Sequence, residues 1–254
     1  MNQDFKDRVV LVAGAGGGVG RVVSRTLLDR GAKVVLHYRT NAAALLELAS
    51  AYPDRVLLHR GDLTNAGDVN GMVAACTARF GKLNAFLSTV GSALRIQPFL
   101  ETSDETMEMT IDVELRSAIF CMRAVLPALI TNGGGNVVLI GSDSGKVGTS
   151  GEAVSAACRG AIIAFAKSIA REYARQKVLV NVVCPGPIDT ALWQDLVAND
   201  ELGGKIGGGM IRATPLRRAA QPEEVAAAAV FLVSPAASFI TGQALSVSGG
   251  LTMA

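Results

Sequence analysis

The run Ala13-Gly14-Ala15-Gly16-Gly17-Gly18-Val19-Gly20, directly after the apolar stretch 9–12, constrains this chain more than any other feature. A buried strand that ends in bare backbone and enters a helix at once leaves N–H groups and a helix N-terminus facing one point, where a pyrophosphate fits. Taken alone, such a turn is also what a tight structural bend needs. Its place near the N-terminus, between a strand and a helix, favours phosphate binding.

Apolar runs at 9–12, 34–36, 56–58, 85–87, 137–140, 179–183 and 244–247 are short and bounded by Gly, Pro, Asp or Asn, which predicts buried parallel strands. Segments with helical periodicity lie between them at 18–30, 41–50, 66–80, 103–130, 152–175 and 223–233. Such alternation forces right-handed crossovers around a doubly wound sheet. The predicted fold class is therefore α/β: a single Rossmann-type parallel sheet of about seven strands with helices on both faces, one domain over 1–254. The cluster Gly203-Gly204 and Gly207-Gly208-Gly209 predicts a mobile lid at about 191–214, with Trp193 and Arg212 as its distinctive side chains.

The 254 residues, 50% of them hydrophobic, suffice for one such domain. No run approaches the ~20 uninterrupted apolar residues of a membrane span, and the start Met1-Asn2-Gln3-Asp4 has no basic region followed by an apolar one. The chain reads as soluble, unexported and cytoplasmic, with no membrane partner. A net charge of +2 without a Lys/Arg block gives no footprint for nucleic acid; Arg21, Arg25 and Arg30 mark a solvated helix face. Cys76, Cys121, Cys158 and Cys184 show no CxxC spacing, so neither a disulfide framework nor a metal site is expected. His37 and His59 follow strand-like runs, where a surface or packing role is expected.

Four motifs stand in order along nearly the whole chain. Gly14, Gly18 and Gly20 fit a TGxxxGxG pattern with Ala13 in place of its Thr, and Gly61-Asp62-Leu63-Thr64 follows the third strand. Asn181-Val182-Val183-Cys184-Pro185-Gly186-Pro187-Ile188-Asp189-Thr190 fits N-x-x-x-PG-x-x-x-T, and Pro222-Glu223-Glu224-Val225-Ala226 precedes Phe231-Leu232 and Thr241-Gly242-Gln243. With these the chain resembles the short-chain dehydrogenase/reductase family. The resemblance implies NAD or NADP, held by Gly14, Gly18, Val19, Arg39, Asp62, Leu63, Gly91, Pro185, Gly186 and Ile188. The stretch Leu36-His37-Tyr38-Arg39-Thr40 lacks a carboxylate for the ribose hydroxyls of NAD, and Arg39 suits a 2′-phosphate, which favours NADP. Against this, Thr89-Val90 replaces the family's small Asn-Ala pair, and the β-branched Val90 crowds the adenosine approach, so an empty pocket is the alternative.

The family's reactive groups do not carry over. Ser142 closes a strand as the family's Ser does, but thirteen residues on, where Tyr-x-x-x-Lys is expected, the chain reads Ser155-Ala156-Ala157-Cys158-Arg159. The family's helix Asn falls on Glu114, and its Asn-Asn-Ala-Gly turn is Ser88-Thr89-Val90-Gly91. Reduction of a carbonyl needs a proton delivered to its oxygen, a task worth roughly 10²–10⁴ in rate, or about 3–5 kcal/mol. A serine hydroxyl is too weak an acid and too short, and Arg159 stays charged where a Lys relays protons. Tyr38 and Tyr52 lie elsewhere, and Tyr173 stands about 27 Å from Ser155 along a helix. Related enoyl reductases place Tyr seven residues before Lys; seven before Arg159 is Glu152. No catalytic residue is expected, and Glu114, Ser142, Ser155 and Arg159 are read as degenerate positions of a pseudoenzyme. The alternatives are an atypical NAD(P)H-dependent oxidoreductase using Ser142, Glu114 and Arg159, or an NADP-binding sensor.

Subunits of this family associate through two long helices, here about 103–130 and 152–175, and through the C-terminal segment 249–254. Met107, Met109, Ile111, Leu115, Ile119, Phe120 and Met122 recur at helical spacing, enough for a core stripe and a second, outer one. The expected partner is a catalytically intact homologue in a hetero-oligomeric NAD(P)-dependent alcohol dehydrogenase, otherwise a homotetramer or homodimer. Among family members the chain is similar to the two-component dehydrogenases that oxidise 2-[hydroxy(phenyl)methyl]succinyl-CoA, an aromatic hydroxyacyl-CoA, in anaerobic toluene degradation, where one subunit is degenerate.

Overall fold

The computed structural model describes residues 3–91 and 96–254. All seven predicted strands are present: β1 (Val9–Ala13), β2 (Lys33–Tyr38), β3 (Val56–Arg60), β4 (Ala85–Ser88), β5 (Gly135–Ile140), β6 (Val178–Pro185) and β7 (Ala244–Val247). They form one parallel sheet in the order β3-β2-β1-β4-β5-β6-β7. The order reverses between β1 and β4, and a crevice opens beyond the carboxyl ends of strands at such a switch point. The Gly14 turn and Thr89 stand there.

The helices, in chain order, are α1 (Gly18–Asp29), α2 (Ala43–Ala51), α3 (Ala66–Phe80), α4 (Asp104–Ile111), α5 (Ser117–Thr131), α6 (Ser144–Val147), α7 (Ala153–Tyr173), α8 (Ala191–Asn199), α9 (Glu201–Ala213) and α10 (Pro222–Val233). Alternate strand residues point to opposite faces, so the sheet carries two cores. Leu11, Phe86, Val137 and Leu139 meet Met72 of α3, Met122 and Leu129 of α5 and Ile162 of α7. On the other face Val10, Val12, Leu36, Leu87 and Val138 meet Leu27 and Leu28 of α1 and Val230 of α10. Burying each such large side chain stabilises the fold by about 1.5–3 kcal/mol, which is why continuous apolar runs, not alternating ones, marked the strands. The stretch Ala153–Gln176 is long and apolar enough to cross a membrane by length and composition, yet its Ile162, Ile163, Ala166 and Ala170 belong to this core.

Two expectations change. The helix expected over 103–130 is broken by a π-helical turn, Asp112–Arg116, between α4 and α5. Such turns insert an extra residue and re-aim a side chain, here Glu114. The glycine-rich stretch within 191–214, absent from the expected helices, forms α8 and α9. A Cβ on Gly203 would lie 2.8 Å from Leu196 and one on Gly207 3.0 Å from Trp193 and Val197, so these glycines let α9 pack closely on α8.

Candidate active site

The Gly14 turn is held from both sides. Gly14 has φ +75°, a backbone conformation glycine adopts at little cost, and a Cβ on Gly20 would lie 2.3 Å from the Gly14 carbonyl oxygen. The Thr89 hydroxyl lies 3.0 Å from the Ala13 carbonyl oxygen and 2.9 Å from that of Gly14, donating into the pair. From the other side His37 accepts the Gly14 N–H at Nδ1, 3.3 Å, and its Nε2 lies 3.0 Å from the Gly61 carbonyl. This pairing requires the neutral imidazole with its proton on Nε2. Burial pulls the His37 pKa below the usual value, the same tautomer's energetic counterpart. His37 is thus buried and positions the turn, a role that its residue type and neighbours in sequence did not reveal.

No side chain caps α1 at Gly17, and its first turn carries no acid, so the helix presents a bare N-terminus. The groove before it is lined by Gly14, Gly16, Gly17, Arg39, Asp62, Leu63 and Gly91, and a dinucleotide's phosphates fit this cradle of backbone. Hydrogen bonds from the Thr64 N–H and hydroxyl to Asp62 Oδ1, 2.9 and 2.8 Å, hold that carboxyl below the ordinary range, fixed at the groove wall. Arg39 is exposed at the rim. Gly18 packs on Thr190, where a Cβ would be 2.9 Å from Cγ2, and the Val19 side chain is in the core; neither lines the groove.

A second cavity of about 580 Å³ adjoins the groove, the two sharing Thr89, Val90 and Gly91. Pro185, Gly186 and Ile188 line it, as do all four positions read as degenerate: Glu114, Ser142, Ser155 and Arg159. Topology gathers them: Ser142 follows β5, Ser155 lies in the first turn of α7, Arg159 one turn further, and the π turn brings Glu114 across. Arg159 Nε lies 2.9 Å from Glu114 Oε2, with the two side chains 10% and 3% exposed. Arg159 also donates to the carbonyls of Ile140, 2.8 Å, and Val90, 3.3 Å. The Ser155 hydroxyl donates to the same Glu114 Oε2 at 2.9 Å. Room for the guanidinium is made at Gly91, where a Cβ would lie 2.8 Å from it.

Ser142 Oγ accepts from the Ser144 N–H, 3.2 Å, and hydroxyl, 2.8 Å, which leaves its own proton for a group in the cavity. Leu192, Trp193, Ile206 and Met210 form an apolar wall from α8 and α9, so the 191–214 segment does flank the cavity; Arg212 is exposed and not part of the lining. None of the three tyrosines lines it: Tyr38 is in the nucleotide groove, Tyr52 bonds Asp29 at the surface, and Tyr173 lies on the outer face of α5 and α7. The four cysteines are free and buried, their thiols pushed up by burial, to about 12 for Cys76 and Cys121 and about 11 for Cys184; they are inert packing groups. Among the described residues no cluster of His, Cys, Asp and Glu could hold a metal ion.

The doubly wound sheet, the bare helix N-terminus and the groove at the switch point define an α/β protein of the Rossmann type. The chain belongs to the short-chain dehydrogenase/reductase family. The family model described as enoyl-(acyl carrier protein) reductase matches residues 14–252. Similar relatives include 2,3-dihydroxy-2,3-dihydro-p-cumate dehydrogenase of Pseudomonas putida, 34% identical over 98% of this chain and 96% of that protein. The 3-oxoacyl-[acyl-carrier-protein] reductase of Escherichia coli is 31% identical over 98% of this chain and 99% of the relative. Among solved structures, a short-chain dehydrogenase/reductase from Mycobacterium ulcerans superposes with a TM-score of 0.90 at 30% identity, covering 97% of this chain and 90% of that one. The relatives are named as oxidoreductases, and the family binds NAD(P).

Proposed function

We propose that this chain is a nucleotide-binding subunit of a heteromeric NAD(P)-dependent alcohol dehydrogenase, with the family's own proton-transfer route lost and a catalytically intact homologue as its partner. The observation that carries this reading is the closed cluster Ser155–Glu114–Arg159. The guanidinium there is spent on a carboxylate and two carbonyls, and no phenol lines the cavity. When bound, a nicotinamide would supply or accept a hydride; Gly14, Gly16 and Gly17 would hold its phosphates and Pro185, Gly186 and Ile188 would flank its ring. Arg39 at the rim, without a carboxylate beside it on 36–40, supports NADP over NAD. An apolar groove on the outer face of α5 and α7, with Ile119, Leu126, Phe165 and Ile169, supports subunit contact. The likeness to the dehydrogenases of anaerobic toluene degradation would make the partner's substrate an aromatic hydroxyacyl-CoA.

Native mass spectrometry of the tagged chain from its own host tests this. A stoichiometric complex with a homologue retaining Tyr-x-x-x-Lys is expected, with no alcohol oxidation by the chain alone. Alcohol oxidation by the isolated chain at ordinary rates, roughly 1–10³ s⁻¹, would overturn it. A second reading, an atypical reductase acting on an activated carbonyl, is favoured by the open cavity and by the free proton of Ser142.

A further inference from the structure

Glu152 is the N-cap residue of α7 and lines the same cavity as Ser142, Ser155 and Arg159. The charged groups acting on it are Glu114, from the π turn, and Arg159, from its own helix. Asp143, after β5, also lines the cavity, its Oδ1 accepting from Ser246 at 2.8 Å. Among the described lining residues one cation, Arg159, faces the carboxyls of Glu114, Glu152 and Asp143, and it is in contact with Glu114. Neighbouring carboxyls in a largely buried site do not both ionise cheaply, so Glu152, which feels Arg159 but is not in the ion pair with it, keeps its proton. When environments separate two acids in this way, the neutral member is the one able to donate.

We propose that Glu152 is the proton-carrying group of this cavity, protonating the oxygen of an activated carbonyl held by the Ser142 hydroxyl. The inference rests on the second reading above, that the chain reduces such a carbonyl itself. A reduced nicotinamide, when bound, would supply the hydride to the carbonyl carbon; as the C=O π pair moves to oxygen, the O–H bond of the Glu152 carboxyl breaks and the alcohol O–H forms. The carboxylate left behind is reprotonated from solvent through the open mouth of the cavity. Burial first, and Glu114 second, push the Glu152 carboxyl up to about 7, near the pH at which a general acid works best. The substrate class is a 1,2-diketone with an apolar substituent: the two adjacent carbonyls accept hydride without the strong acid a plain ketone needs, and the substituent would lie against the wall of Leu192, Trp193, Ile206 and Met210.

The test joins two readouts on the isolated chain. Carboxyl-carbon NMR of the nucleotide-free protein should show one resonance titrating between about pH 6 and 8, absent from Glu152→Gln. With NADPH and 1-phenyl-1,2-propanedione, Glu152→Gln should lose 10²–10⁴-fold in kcat/KM and its decline above pH ~7, while NADPH affinity is unchanged. Glu152→Asp, which keeps the proton, should retain the pH profile; this separates lost chemistry from lost folding. Equal rates and profiles for wild type and Glu152→Gln, or no carboxyl titrating in that range, would overturn the proposal while leaving diketone reduction in place. Absence of any diketone reduction by the wild type would overturn both the proposal and the second reading.

Discussion

At the scale of single residues, Glu114 and Arg159 are exchangeable only as a pair. Both side chains are nearly fully buried, and a buried charge stripped of its partner is far more costly than the pair itself. Arg159→Met should lower stability by about 3–5 kcal/mol in urea unfolding, since the guanidinium's bonds to Glu114 and to the Ile140 and Val90 carbonyls are lost together. Combining it with Glu114→Met should restore most of that loss; a double variant as unstable as the single one would show that the pair does not act as a unit. The resemblance to the family was what placed Ser142, Ser155, Arg159 and Glu114 in one site, because its motif spacing says which positions converge. The same counting named Glu152 but said nothing of its charge, which is set by burial and by Glu114 on another element.

Among the elements, α9 breaks the usual rule that clustered glycines mean loop. Each glycine costs a helix interior roughly 1 kcal/mol relative to alanine, and Gly203, Gly204, Gly207, Gly208 and Gly209 all lie within it. Gly203 and Gly207 earn their places through contact with Leu196 and Trp193, whereas a Cβ on Gly208 or Gly209 would approach only the flexible tip of Arg212. Gly208→Ala and Gly209→Ala should therefore each stabilise α9 by about 0.5–1 kcal/mol and slow amide hydrogen exchange there. Gly207→Ala should do the opposite. If the first two variants leave exchange unchanged, the helix is not the weak element that its composition implies. The π turn at Asp112–Arg116 is the other departure, and no periodicity signals it, because the apolar spacing on either side is helical.

For the whole molecule, two groups pull stability in opposite directions with pH. His37 is held neutral, its pKa lowered, so the unfolded chain binds a proton that the folded one refuses as pH falls below ~6.5, and stability drops there. Glu152, raised to about 7, keeps a proton that the unfolded chain releases above ~4.5, so its contribution is full at low pH and is lost as pH rises to about 7. Between about pH 4.5 and 6.5 the two contributions to the wild type's stability have opposite slopes. In urea unfolding the stability of Glu152→Gln should rise across that window and exceed the wild type's at pH 8 by on the order of 1–3 kcal/mol, and that of His37→Gln should fall across it. A wild-type curve as steep as either variant's would show that one of the two groups is not perturbed.

The sequence by itself determined the strands, the sheet's doubly wound order, the glycine turn and the family, because burial on both faces makes each strand a short apolar run and bare backbone needs glycine. It also determined which residue types stand at the positions of the family's chemistry. Only the tertiary structure decided what those residues do to one another: His37 clamping Gly14, Glu114 turned onto Arg159 by a π turn, and Glu152 buried beside that pair. Those outcomes depend on distance and desolvation between elements far apart in the chain, and neither quantity is written in local sequence.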